Sequence, residues 1–230
     1  MIIGVLDSGI GGLNILAALI KKRAGDDYLY LADNANLPYG DKDVDALREI
    51  AMRGVTKLTS RGANVIVFGC NTLSVSALDH VRKRVTPPVF GLIPRPDLLC
   101  GRSLMMTTPT TAMHLPELNC ETALLTPSRL AALIDRDYPD LREITRYLSP
   151  LLVPYEEYES VFLGCSHYLY IRELIHTLLP HAKVLDGVRN LASVIHAVLP
   201  EGRHRASSVD FLFTGENETD RYCRLLQSLL

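Results

Sequence analysis

Val65-Ile66-Val67-Phe68-Gly69-Cys70-Asn71-Thr72 and Ser160-Val161-Phe162-Leu163-Gly164-Cys165-Ser166-His167 are two versions of one pattern. In each, a short apolar run rich in β-branched and aromatic residues leads into Gly-Cys, two polar residues and a helical periodicity. An uninterrupted apolar run of this length suits a strand buried on both faces, as in a parallel sheet covered by helices. The two copies are too far apart for a solenoid repeat and suit two similar α/β halves.

Outward from these runs, the same alternation continues. Ile2–Leu6, Tyr28–Ala32 and Val89–Ile93 read as further buried strands, with helices over Leu13–Lys22, Val44–Ser60 and Ser74–Arg84 between them. Strand–helix–strand alternation predicts a parallel sheet with helices on both faces. Ile93-Pro94-Arg95-Pro96 punctuates the chain and marks a crossing between domains. In the second series Leu104–Thr107, Val161–Leu163 and Lys183–Leu185 read as strands. Leu130–Arg136, Asp140–Leu148 and Tyr170–Leu179 read as helices. Glu201–Ser208 is polar and loop-like, Val209–Phe213 reads as a last strand and Glu218–Leu229 as a last helix.

The 230 residues are 47% hydrophobic and 22% charged, enough apolar surface for a real core. The net charge of −2 offers no basic excess for a nucleic acid. Asp7 interrupts the apolar start, which lacks the basic residues of a signal peptide. The longest uncharged run, 62–78, is broken by polar residues and makes a poor membrane span, so a cytoplasmic protein is expected. Five cysteines without a CxxC pair argue against a disulfide framework. Cys165 and His167 have no second pair at zinc-ligand spacing, and no metal site is expected.

Ligands of open α/β sheets bind beyond the carboxyl ends of the strands. Three reactive groups fall there: Asp7-Ser8-Gly9 after the first strand, Cys70-Asn71-Thr72 after the third, and Cys165-Ser166-His167 after a strand of the second half. A thiol at a strand tip ahead of a helix is expected to lose its proton more readily, because the positive helix end favours the thiolate. Asp7 and His167 are placed to orient such thiols and exchange protons with them. Asp7–Gly12 lacks both GxGxxG and GK[ST], and Asp7 would repel a phosphate, so nucleotide binding is disfavoured. Two thiols facing one ligand fit removal of a proton from one face of a carbon and its return to the other. That chemistry demands no cofactor.

With these residues in view, the chain resembles the glutamate racemases of the cofactor-independent aspartate/glutamate racemase superfamily. The resemblance rests on Asp7-Ser8-Gly9-Ile10-Gly11-Gly12-Leu13, Asp33 with Pro38-Tyr39-Gly40-Asp41-Lys42, Cys70-Asn71-Thr72-Leu73-Ser74, and Leu163-Gly164-Cys165-Ser166-His167-Tyr168. It covers nearly the whole chain. It implies an isomerase that interconverts L- and D-glutamate and supplies D-glutamate for peptidoglycan. Cys70 and Cys165 would be the two bases, assisted by Asp7 and His167. Ser8, Pro38, Tyr39, Gly40, Asn71, Thr72, Thr110 and Ser166 would contact the substrate. It further implies two similar domains, each a mostly parallel sheet flanked by helices, with the active site in the cleft between them. Residues 1–93 plus 206–230 would form the first domain and 94–205 the second. Members of the family are often homodimers.

Four departures fall in the second half. Ser166 stands for the family's Thr, Leu169 for Pro, and Asp135 for a Glu held to assist the histidine. Thr107-Thr108-Pro109-Thr110-Thr111 replaces a Thr-x-Gly-Thr turn. Pro lacks both the positive φ open to Gly and a backbone N–H, so that turn is expected to be shaped differently. The competing readings are a racemase of aspartate or another amino acid, an isomerase or decarboxylase of a small dicarboxylate, a non-catalytic binding protein on the same fold, and a redox protein that joins the thiols.

Overall fold

The computed structural model describes residues 1–200 and 206–230. The first sheet is entirely parallel, in the order β4-β3-β1-β2-β9, with β1 Ile2–Asp7, β2 Asp27–Ala32, β3 Val65–Phe68, β4 Val89–Gly91 and β9 Ser208–Phe213. The second is also parallel, in the order β6-β5-β7-β8, with β5 Ser103–Thr107, β6 Thr122–Leu125, β7 Ser160–Gly164 and β8 Lys183–Leu185. Helices follow the strands: α1 Leu13–Lys22, α2 Val44–Thr59, α3 Asn71–Arg82, α4 Pro109–Ala112, α5 Leu130–Asp137, α6 Arg142–Leu152, α7 Arg172–Leu178, α8 Val188–Val198 and α9 Thr219–Leu229. The molecule is thus two α/β units with helix-flanked parallel sheets.

The two sheets share one winding. The order β4-β3-β1-β2 repeats as β8-β7-β5-β6, and β9 is added beyond β2. In each, the chain steps one way from its first strand and then back past it. The switch points lie between β1 and β3 and between β5 and β7, where ligands of such folds bind. Cys70 follows β3 and Cys165 follows β7, so the two cysteines occupy equivalent places.

Both faces of the first sheet are buried, as its apolar runs require. Ile3, Val5, Val65, Val67, Tyr28 and Tyr30 pack on one side, and Leu6, Ile66, Phe68, Leu29 and Leu31 on the other. This is the two-residue alternation of a strand, with apolar side chains on both faces. The first cluster continues into the second sheet through Leu104, Met106, Val161 and Leu163. Phe68 is wholly buried, and its truncation to Ala would cost about 3–5 kcal/mol.

Most expected elements form within a residue or two of their predicted limits. Three go beyond the expectation: β6, α8 and the short α4. β6 is the half-exposed edge of its sheet and reads Thr-Ala-Leu-Leu, with little β-propensity. α8 buries Val188, Leu191, Ala192 and Ile195, a helical spacing. α6 was expected to stop at Leu148 but runs through Pro150 to Leu152. That proline lies in the final turn, where its missing N–H leaves the Arg146 carbonyl without its helical donor, and the helix ends two residues later. The predicted helix from Tyr170 is preceded by a 3₁₀ segment, Ser166–Ile171, and the α-helix proper starts at Arg172. Most of the expected loop Glu201–Ser208, and the end of the expected second domain at residue 205, lie outside the described residues. Among the described residues no helix is long and apolar enough to cross a membrane.

Candidate active site

The loop Ser8–Gly12 connects β1 to α1 and is pressed against the other half of the molecule. Gly9 faces the Asp135 carboxylate so closely that a Cβ there would overlap it. A Cβ on Gly11 would likewise collide with Ser166 Oγ and the His167 ring. These glycines exist for close approach of the two halves.

Asp7 ends β1 and is fully buried. It accepts hydrogen bonds from the Gly9 N–H at 2.9 Å and from Ser166 Oγ at 3.2 Å across the interface. Burial pushes its carboxyl group up from the ordinary carboxylate range, and the charge of His167 works against that push. Cys70 caps α3 without a side-chain cap bond and is 5% exposed. The expectation of a readily ionised thiol fails here. The N–H groups of Leu73 and Thr72 favour the thiolate, but burial and the nearby Asp7 charge outweigh them and raise the Cys70 thiol well above its usual range.

On the opposite side Cys165 follows β7 and is 5% exposed. His167 Nε2 lies 2.8 Å from Asp135 Oδ2, whose same oxygen accepts from the Ile10 N–H at 2.9 Å. Burial opposes a charge on His167. Its hydrogen bonds to Asp135 and Cys165 prevail and hold the imidazole well above its ordinary range. Asp135 is correspondingly lowered: burial raises it, and the His167 hydrogen bond more than compensates. The shorter acid thus reaches the histidine.

The altered threonine turn closes the site from a third side. Pro109 sits at the first position of α4, where a backbone N–H is not needed, and Thr108 caps that helix by accepting from the Thr111 N–H. The hydroxyls of Thr72, Thr108 and Thr111 form a ring, with separations of 2.9, 3.1 and 2.9 Å. The Thr110 hydroxyl donates to the Lys42 carbonyl and its N–H to the Gly40 carbonyl, so it ties the halves together beside the cavity rather than lining it.

A small cavity is enclosed by Ser8, Leu37, Pro38, Tyr39, Gly40, Cys70, Thr72, Thr108, Ala131, Cys165 and His167. It leaves ≈ 10 Å³ for the centre of a solvent molecule, about one water. Both thiols and most of the expected contacts meet there. Tyr39 is anchored by donating to Asp33 Oδ2 at 2.6 Å. Asn71 donates to the Leu92 carbonyl at 2.9 Å, and its buried Oδ1 has no partner among the described residues. Ser166 lies just behind, on Asp7. His167 is the one basic side chain in the lining, so an anionic ligand would be held by hydroxyls and backbone N–H groups. Leu37, Thr108 and Ala131 were not expected. Only Thr108 had a signal, the threonine-rich turn itself. A wider groove between α1 and α8, lined by Lys21, Lys22, Arg172 and Arg189 among others, shares no residue with this cavity.

The sequence is 30% identical to a glutamate racemase of Halothermothrix orenii, over all of this chain and 99% of that one. The chain belongs to the glutamate racemase family. A glutamate racemase of Leptospira interrogans is 29% identical over 99% of this chain and 96% of its own. The glutamate racemase of Thermus thermophilus, solved with β-chloro-D-alanine, superposes with a TM-score of 0.80 at 26% identity, covering 99% of this chain and 92% of that one. That of Campylobacter jejuni superposes with a TM-score of 0.85 over all of both chains, at 19% identity, and speaks for the fold alone. No family model matches the sequence.

Proposed function

We propose that the protein interconverts L- and D-glutamate by a two-thiol mechanism, with Cys70 and Cys165 as the bases. The observation that carries this reading is their equivalent placement after β3 and β7 on one small cavity. One thiolate removes the α-proton from one face of the substrate. The resulting carbanion takes a proton from the facing thiol, and the product is the mirror image. No electrons are transferred, and the two sulfurs have exchanged protonation states. A negative Cys165 raises Cys70, which disfavours two thiolates at once.

Asp7 is the proton partner of Cys70. His167, held charged by Asp135, is the partner of Cys165, whose proximity adds to the rise of the imidazole. Ser8, Thr72, Thr108 and the backbone around Gly40 suit the carboxylates, while the unpartnered Asn71 Oδ1 suits the ammonium group. Residues 1–93 with 206–230, and residues 94–205, are proposed as the two domains. Residues 206–230 join the first through β9, which extends its sheet beside β2. No cofactor takes part in these steps. D-glutamate for peptidoglycan, a cytoplasmic location and a homodimeric assembly complete the reading.

A circular-dichroism assay of purified protein tests it, with the enantiomers of glutamate and aspartate and no added cofactor. Decay of the signal from either glutamate to the same end point is expected. Decay with aspartate alone would assign the other substrate. No decay with any of them, from folded protein with reduced thiols, would overturn racemisation.

A further inference from the structure

Asp135 is gripped from both halves of the molecule. Its Oδ2 accepts from the Ile10 N–H and pairs with His167, while Arg221 approaches from α9 on the far side. Arg221 Nη2 donates to the Asp135 carbonyl oxygen. Its Nη1 stands 3.8 Å from Asp135 Oδ1 and donates to Glu218 Oε1 at 2.9 Å. Glu218 Oε2 in turn takes a hydrogen bond from Asn34 Nδ2 at 3.4 Å.

The Asp135 carbonyl belongs to the last turn of α5, whose carbonyls lack partners within the helix and carry its negative end. A guanidinium is suited to that place, since its rigid fork donates at two points at once. A run of side chains therefore leads from Asn34 at the surface through Glu218, Arg221 and Asp135 to His167 and Cys165.

We infer that Arg221 is a positioning residue for the Cys165 half of the reaction: it fixes Asp135, and through it the His167 ring, from the opposite half of the molecule. Resting on the two-thiol reading above, the inference adds a residue outside the cavity that acts on one base and not on the other. Loss of Arg221 leaves Asp135 with Ile10 and His167, so the fold has other ties at this point. The imidazole, however, loses one of the constraints on its carboxylate partner.

The test follows racemisation of L- and D-glutamate, each carrying deuterium at the α-carbon. Each enantiomer loses its α-hydrogen to a different thiol. Weakening one base lowers kcat/KM equally in both directions, because the enantiomers are equally stable. It raises the primary isotope effect for one enantiomer and lowers it for the other. Arg221→Gln is expected to reduce kcat/KM about tenfold and to drive the two isotope effects apart in the same sense as Asp135→Asn. It is expected to add no further separation in an Asp135→Asn background. Arg221→Lys, which keeps the charge, is expected to fall between Gln and the parent.

Wild-type rates, an equal change of both isotope effects, or full additivity with Asp135→Asn would overturn the inference and leave Arg221 as a tie between helices. If the Gln variant does not fold, parental isotope effects in Arg221→Lys overturn it as well. Racemisation that survives Cys165→Ala would overturn the two-thiol reading itself. Loss of racemisation in that variant, with Arg221→Gln unaffected, would overturn only the role of Arg221.

Discussion

His167 and Asp135 meet at 2.8 Å with both side chains almost wholly removed from solvent, and each shifts the other's proton equilibrium toward the ion pair. The pairing makes stability depend on pH with a defined sign. His167 is raised above its unfolded value near 6.5, so its contribution is complete below that pH and is lost as pH rises through the folded value. Asp135 is lowered, so its share is present above about pH 4 and is lost on acidification. His167→Asn should therefore destabilise the protein most near pH 6, and the gap should narrow as pH rises. Urea midpoints of both proteins from pH 5.5 to 10 measure it. A gap that widens with pH would contradict the ion pair.

The thiols make the strongest demand on activity. Cys70→Ala and Cys165→Ala should each lower racemisation by about 10³-fold or more, within the range that positioned acid–base groups supply. Each should leave the fold intact, since a small buried side chain is shortened by one atom. The rate of circular-dichroism decay reads the first claim, and the thermal midpoint the second.

Gly11 is a test of closure. Its missing Cβ is what lets the β1–α1 loop approach Ser166 and His167. Gly11→Ala should force the halves apart by a fraction of an ångström and reduce kcat/KM about 10²-fold, a loss typical of reacting groups held slightly out of place. Far-ultraviolet dichroism should be unchanged. Parental kinetics in this variant would mean that the halves need not come so close.

Tyr39 offers a stability test in the wall of the cavity. Its hydroxyl donates to the buried Asp33, which also receives both bonds of Asn36 Nδ2. Tyr39→Phe should cost about 1–3 kcal/mol, because the carboxylate loses a buried donor. Denaturant unfolding checks this, and the substrate KM should rise as the wall loosens.

Much of this architecture was legible from residue patterns. The runs at Ile2, Val65 and Ser160 announced buried strands because every position in them packs against something. The positions of Asp7, Cys70, Cys165 and His167 at strand tips were legible, and ligands of such folds bind there. α8 had an equally clear spacing at Val188, Leu191, Ala192 and Ile195 and went unread. β6 had no such spacing, being a half-exposed edge. Leu37 and Ala131 entered the site only through the docking of one half on the other, which local pattern does not encode. The acidity expected of Cys70 missed for a related reason: a helix end is visible in sequence, whereas burial beside Asp7 is a property of the packed molecule.

The winding of the first sheet has a consequence for synthesis on the ribosome. β9 pairs with β2 along its full length, yet it is translated after every strand of the second sheet. The nascent chain thus holds β2 with one side unpaired while the whole second sheet emerges. A bare parallel edge of this kind invites pairing with neighbouring chains. The order of translation therefore leaves the half that carries Cys70 in need of shielding until its final strand arrives.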